Sequence, residues 1–387
     1  MTVNIDSLLK KAVQMKASDL HIKAGNPPVI RVDGALKAMP AEQKLSPEDT
    51  SNIATSVLKE ALREQFKRNR EIDTSYSVKG LGRFRCNCYV QRGTIVIVFS
   101  VIPVKILSIE ELELPTIINK ISLEPRGLIL VTGTTGSGKT TTLASMIDYI
   151  NNNKSDNIIT IEDPVEFLHR DNKCIISQRE LGTDTASFAK ALRSSLRQDP
   201  DTILVGEMRD FETIQTALIA AETGHLVLST LHTADTVETV NRIISVFPPY
   251  QQKQVRAQLS SVLRAIISMR LVPKSDGVGR VPAVEVLIAT AIIKSCIEDP
   301  DKTRLIHDYI AQGVSQYGMQ TFDQSLLDLF QKDLITYEDA VSRASNADDF
   351  ALKVKGVQST QDVYRTDGQI AEESETKATP DIERFSS

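Results

Sequence analysis

The sequence predicts an α/β fold in two parts, on three observations. From about Arg126 onward, short apolar segments alternate with stretches of helical periodicity, the pattern of a mostly parallel sheet covered by helices. One of those segments runs directly into the octapeptide Gly133-Thr-Thr-Gly-Ser-Gly-Lys-Thr140, and a helical pattern follows it. Before Arg126, alternating strands and turn residues describe a smaller α+β unit.

The smaller unit opens with an amphipathic helix carrying Leu8, Leu9 and Val13, which leads into the extended segment Ser18-Asp-Leu-His-Ile22. Pro27-Pro28 and Asp33-Gly34 bracket a strand and a turn. Ser46-Pro47 starts a helix, because serine caps the free amides and proline tolerates the first helical position. The alternation in Arg83-Phe-Arg-Cys-Asn-Cys-Tyr89 and the β-branched run Thr94 to Val98 predict paired strands joined around Gly93. These elements define a domain over residues 1–102, and residues 103–115, bounded by Pro103 and Pro115, are expected to be the linker. In the second domain, residues 116–356, buried strands are expected at Gly127–Thr132, Ile158–Ile161, Thr202–Val205 and Leu226–Ser229, with a helix over Thr141–Ile150. From about Tyr250 the chain is helix-rich, and residues 357–387 are a polar tail with the composition of disorder.

Composition excludes several classes. The chain is 41% hydrophobic and 25% charged over 387 residues, enough for two well-formed cores. No run reaches the ~18 apolar residues of a membrane span, and Asp6 and the lysines near Met1 interrupt any signal-peptide core, so the expectation is a cytoplasmic protein with no direct membrane insertion. Cys86, Cys88, Cys174 and Cys296 form no CxxC pair, and neither a zinc knuckle nor a disulfide framework is expected. The tail holds seven acids against three bases, −4 of the net −5, which leaves the body almost neutral. A nucleic-acid partner is not expected of such a body.

The octapeptide fits GxxxxGK[ST] at every fixed position. Its glycines let the backbone turn amides of Gly133, Thr134, Thr135, Gly136, Ser137 and Gly138 toward phosphate oxygens, and the helix beginning near Thr141 presents its positive end to the same anion. Lys139 would reach the β- and γ-phosphates of ATP, and the Thr140 hydroxyl would ligate Mg2+. Hydrolysis further needs acids at the ends of neighbouring strands. Glu207 follows the strand Thr202–Val205, and Glu162, Asp163 and Glu166 follow Ile158–Ile161, where Pro164 ends the strand at the crevice. His225 and His232 flank the strand between them and are candidates to contact the γ-phosphate, although a hydrogen-bonded histidine with no chemical role fits each equally well.

Taken together, GTTGSGKT, the acidic box TIEDPVEF, the segment LRQDPDTILVGEMRD and the histidine box TGHLVLSTLHT, in that order, resemble the secretion ATPases of type II and type IV pilus systems. The chain is similar to their PilT type, which drives pilus retraction in twitching motility, from Ser18 through Gln324. The resemblance implies a homohexamer of subunits with a PAS-like N-terminal domain and a RecA-like P-loop ATPase domain, with ATP between the two. It implies that the segment Gly82–Gly93 supplies cations to the nucleotide, making Arg83, Arg85 and Arg92 candidate phosphate contacts. It assigns Glu207 as catalytic glutamate and, with Glu162, as a residue at the metal; Glu166 joins Glu162 in the acidic box, and His225 and His232 form the histidine box. Arg193, Arg197 and Arg209 would brace the site, with ordinary ion pairs an equal alternative. The expected partner is the inner-membrane platform protein of a type IV pilus machine, together with a paralogous retraction ATPase. Assembly-type relatives carry an additional N-terminal domain and a tetracysteine element that this sequence lacks, which favours retraction. Against the usual AIRNLIRE motif, however, the chain reads Thr303-Arg-Leu-Ile-His-Asp-Tyr-Ile310, which leaves an accessory PilU-like role or another secretion-system assembly ATPase as alternatives.

Overall fold

The computed structural model describes residues 3–32, 34–102 and 105–354. Asp33 of the first predicted turn, Pro103 at the head of the predicted linker and the acidic tail lie outside the described residues.

The N-terminal part is a six-stranded, wholly antiparallel sheet in the order β3-β2-β1-β6-β5-β4. Its strands are β1 (Asp19–Lys23), β2 (Val29–Val32), β3 (Ala35–Ala38), β4 (Glu71–Val78), β5 (Gly82–Gln91) and β6 (Thr94–Val101). One face is apolar: Leu20, Ile22, Ile30, Ile72, Phe84, Cys86, Cys88, Ile97 and Phe99 pack with Leu8 and Leu9 of the opening helix Ile5–Gln14. The helix Pro47–Val57 closes the same core and begins as expected. Ser46 and Asp49 exchange side-chain and backbone bonds in a capping box behind Pro47. Polar residues occupy the alternate positions of β4 and β5, so Asp73, Ser75, Arg83, Arg85 and Asn87 share the other face.

The second sheet has seven strands in the order β13-β12-β7-β11-β10-β8-β9. Strands β7 (Gly127–Thr132), β8 (Asn157–Glu162), β9 (Ile175–Glu180), β10 (Thr202–Val205) and β11 (Leu226–Leu231) are parallel; β12 (Leu263–Pro273) is parallel to β7, and β13 (Arg280–Ile288) returns antiparallel. All six residues of β7 are buried because both faces are covered. Leu128 and Leu130 pack into the cluster that holds Ile214, Leu218 and Leu259 from the covering helices, whereas Ile129 and Val131 meet Leu143, Met146 and Ile147 of the helix Lys139–Asn153. Ile109 and Leu114, from the stretch expected to be linker, bury in this second cluster.

The structure corrects the last third. Besides its helices it supplies β12 and β13, a long hairpin that extends the sheet beyond β7. The run Leu263–Met269, apolar apart from Arg264 and Ser268, has no regular polar alternation to mark it as a strand, because it too is buried on both faces. The terminal helices, from Phe322 to Val354, form a separate apolar cluster around Phe322, Leu326 and Phe350 against Val272, Val281 and Ala283 of that hairpin.

Candidate active site

Parallel strands place their carboxyl ends on one edge, and β7, β8, β10 and β11 there deliver Gly133, Glu162, Glu207 and His232. Gly133 leaves β7 at φ 144°, and a Cβ on it would stand 2.5 Å from both the Met269 carbonyl and Ser137 Oγ. Gly136 (φ 78°) and Gly138 (φ 100°) complete the turn, and the helix starts at Lys139. The turn is anchored from below: Thr132 Oγ1 and Ser268 Oγ lie 2.8 Å apart, with Thr239 bridging Thr132 to Thr233 beside His232.

The Lys139 ammonium donates to the carbonyls of Gly133 (2.8 Å) and Thr134 (3.0 Å). Burial pushes its pKa down, while the negative charges of Glu207 and Glu166 oppose that shift. Both acids therefore act on this lysine. Ser137 Oγ is buried with no partner, and Thr134, Thr135 and Thr140 are exposed. A Gly133 with no room for a side chain, a buried lysine and an orphaned hydroxyl fit a polyphosphate at a helix N-terminus. Thr141 is half-buried in the first turn of the same helix.

Glu207 is held by its backbone. Gly206 N donates to Ile161 O (2.8 Å), Met208 N donates to Thr230 O (3.2 Å), and Thr230 Oγ1 donates to Gly206 O (2.7 Å), which lashes the segment after β10 between β8 and β11. A side chain at Gly206 would meet Ile161 O at 3.1 Å, a tight contact that the β8 backbone would have to relax by a few tenths of an ångström to admit. The Glu207 carboxylate pairs with Arg209, and its Oε1 lies 3.2 Å from His232 Nε2.

Glu162 is 8% exposed. Burial raises its pKa, against the Thr160 hydroxyl (2.5 Å) and Gln178 amide (3.1 Å) that both donate to Oε1. Asp163 is also raised by burial, and Arg85 opposes that shift first among its charged neighbours. Among the described residues no group of three or more His, Cys, Asp or Glu side chains is arranged to hold a metal ion. A divalent cation here would have to draw ligands from elsewhere, as Mg2+ does from phosphates and water.

Several predicted residues are not brought to this edge. His225 precedes β11, and its carbonyl accepts from Gly127 at the start of β7, so a whole strand, ~20 Å, separates it from the phosphate loop. Its Nδ1 instead lies 2.9 Å from Ala220 O. Arg92 (φ 49°) sits in the β5–β6 turn, at the far end of β5 from Arg83, ~30 Å along the strand. Arg83 pairs with Glu180, and Arg85 lies 3.7 Å from Asp73. Of the bracing arginines, Arg209 is in the site, Arg193 pairs with Glu212, and Arg197 is exposed in the loop leading into β10, away from the site's edge. Sequence reasoning missed Glu180 and Gln178, both on β9, a strand it did not predict. The segment Ile175-Ile-Ser-Gln-Arg-Glu180 does not alternate apolar and polar residues, so periodicity carried no signal for it.

A family model described as Type II/IV secretion system protein matches residues 86–341. The chain is 45% identical over 351 residues, covering 90% of it and all of the relative, to the type IV pilus retraction ATPase PilT of Pseudomonas aeruginosa. It is 42% identical over 356 residues to the type IV pilus ATPase PilU of the same organism, covering 91% and 92% of the two chains. A crystal structure of the pilus retraction motor PilT with bound ADP superposes with a TM-score of 0.84 at 46% identity, over 90% of this chain and 98% of that one.

Proposed function

This chain belongs to the type II/IV secretion system protein family, and from that membership we propose that it is the ATPase motor that retracts a type IV pilus in twitching motility. The observation that carries the proposal is the convergence of Lys139, Glu207, Glu166 and His232 on one edge of a RecA-like sheet, in a chain that spans the full length of a retraction ATPase.

In this account the amides of Gly133–Gly138 and the Lys139 ammonium bind the phosphates of ATP, and Thr140, with Glu162 and Glu207, would hold Mg2+. When bound, ATP supplies the transferable phosphoryl group and Mg2+ neutralises its charge. Glu207 takes the proton of the attacking water, and Arg209 and His232 orient its carboxylate. Glu162 and Glu166 order the water on the β8 side. Arg83 and Arg85, on the N-terminal sheet, offer guanidinium groups to the phosphates, so that domain position depends on the nucleotide. We place the motor as a homohexamer at the cytoplasmic face of the inner membrane, acting on the platform protein of the pilus machine; no helix among the described residues is long and apolar enough to cross a membrane.

One observation favours a second role, that of an accessory PilU-like retraction motor. The stretch Thr303–Ile310, which departs from AIRNLIRE, folds as a short 3-10 turn and the helix Ile306–Gln312, with Ile306 and Ile310 in the core. Deletion alone and in combination with a paralogue separates the two roles.

The test of hydrolysis is Glu207→Gln in the purified assembly. It should bind ATP within a few-fold of the unaltered protein and turn it over about 10²–10⁴-fold more slowly. Unchanged turnover would remove Glu207 from the mechanism.

A further inference from the structure

Glu180 ends β9, the outermost strand of the larger sheet, in register with Glu162. Its side chain is 6% exposed, and its carboxylate accepts from both domains. From the N-terminal sheet come the Ser75 hydroxyl, 2.8 and 3.0 Å from the two oxygens, and Arg83 Nη2. From the larger domain come the Val165 amide, at 3.1 Å, and the Thr183 hydroxyl, at 3.4 Å. Val165 lies inside the acidic box, between Asp163 and Glu166. Among the described residues, every hydrogen bond that joins the N-terminal sheet to the larger domain ends on Glu180.

We propose that Glu180 is a positioning residue that transmits the placement of the N-terminal domain, through Arg83 and Ser75, to the acidic box, through the Val165 amide. A buried carboxylate needs its donors, and removing one partner of a buried pair leaves a charge that must find others. When Arg83 moves with its sheet, the carboxylate either follows it, releasing Val165, or stays and loses its cationic partner. In the first case the peptide between Asp163 and Glu166 loses its anchor; in the second it is left on a buried carboxylate without a cation. The hydrogen bonds of the Arg83 guanidinium run from Nη2, to Ser75 and Glu180, while its Nε is buried without a partner, so among the described residues its hold on the larger domain is the Glu180 carboxylate alone. A cavity of about 460 Å³, lined by Asp73, Thr74 and Asn87 on one side and by Asp163, Pro164 and Glu180 on the other, gives the two domains room to close. The consequence for turnover rests on the acidic box serving hydrolysis, as proposed above; the mechanical link does not.

Hydrogen exchange at the Val165 amide in the full-length protein tests the link without any need for turnover. Arg83→Ala should speed that exchange roughly 3–30-fold, although Arg83 makes no bond to Val165, and Arg83→Lys should restore most of the protection. Glu180→Gln should speed it as well, and the double variant Arg83→Ala/Glu180→Gln should exchange no faster than Glu180→Gln alone. In steady state, Glu180→Gln should lower kcat roughly 3–30-fold with the Kd for ATP held within about twofold. Unaltered Val165 exchange in Arg83→Ala, or independent additive effects of the two substitutions, overturns the proposal. If the exchange coupling holds while Glu207→Gln leaves turnover intact, the link stands and the hydrolytic assignment falls.

Discussion

At the scale of single residues, the site depends on where a side chain is forbidden as much as on where one is required. Gly133, a fixed glycine of the phosphate loop, and Gly136, at one of its variable positions, both take positive φ, yet their surroundings differ. A Cβ at Gly133 collides with the Met269 carbonyl and Ser137, whereas a Cβ at Gly136 meets nothing within 4 Å. Gly136→Ala therefore carries only the strain of its positive φ, on the order of 1 kcal/mol, and nucleotide affinity should fall less than about tenfold. Gly133→Ala must displace backbone, and titration with a fluorescent ATP analogue should show a loss well beyond tenfold; equal losses at the two positions would refute this account of the loop. The loop itself was legible in the sequence because its spacing is local and every residue that matters lies within eight positions. The histidines were only half legible. The strand between His225 and His232 separates them by its whole length, and strand direction decides which one reaches the site: His232 meets Glu207, and His225 turns to Ala220.

At the scale of elements, the segment joining β8 to β9 carries both the acidic box and a titrating group with a clear pH signature. His169 is mostly buried, its Nδ1 has no partner, and burial pulls its pKa from 6.5 to about 4. The folded state thus refuses a proton that the unfolded chain accepts. Its contribution to stability is whole above pH 6.5, declines as pH falls, and is lost near pH 4, a span worth about 3 kcal/mol. Glu162 and Glu285 act in the opposite sense. Burial raises both, so each adds stability as pH falls through its raised pKa toward the ordinary 4.5. His169→Asn should flatten the acid limb of urea-unfolding curves between pH 6.5 and 4, leaving the opposing carboxylate trend visible; an unchanged limb would show that His169 is protonated without cost. The strands β9, β12 and β13 were not legible because their marks are non-local. Two are buried on both faces and lose alternation, and β9 is recognised only by pairing with β8 in the register Glu162 to Glu180.

At the scale of the whole molecule, chemistry is divided between two sheets whose only described hydrogen-bonded connection is one carboxylate. The phosphate loop and Glu207 belong to the larger sheet, while Arg83 and Arg85 ride on the smaller, so a nucleotide that engages both would set their relation. The order of motifs made the larger domain and its family legible from sequence. The connection through Glu180 was not, since Ser75 and Arg83 reach it across 105 and 97 positions. The central claim is that this coupling, driven by ATP hydrolysis, retracts a pilus. The most direct measurement replaces the chain with Glu207→Gln in its native cells and counts surface pili alongside twitching. The account predicts pili that accumulate and cells that stop moving; pili that disappear would mean that the motor assembles them instead, and would contradict it.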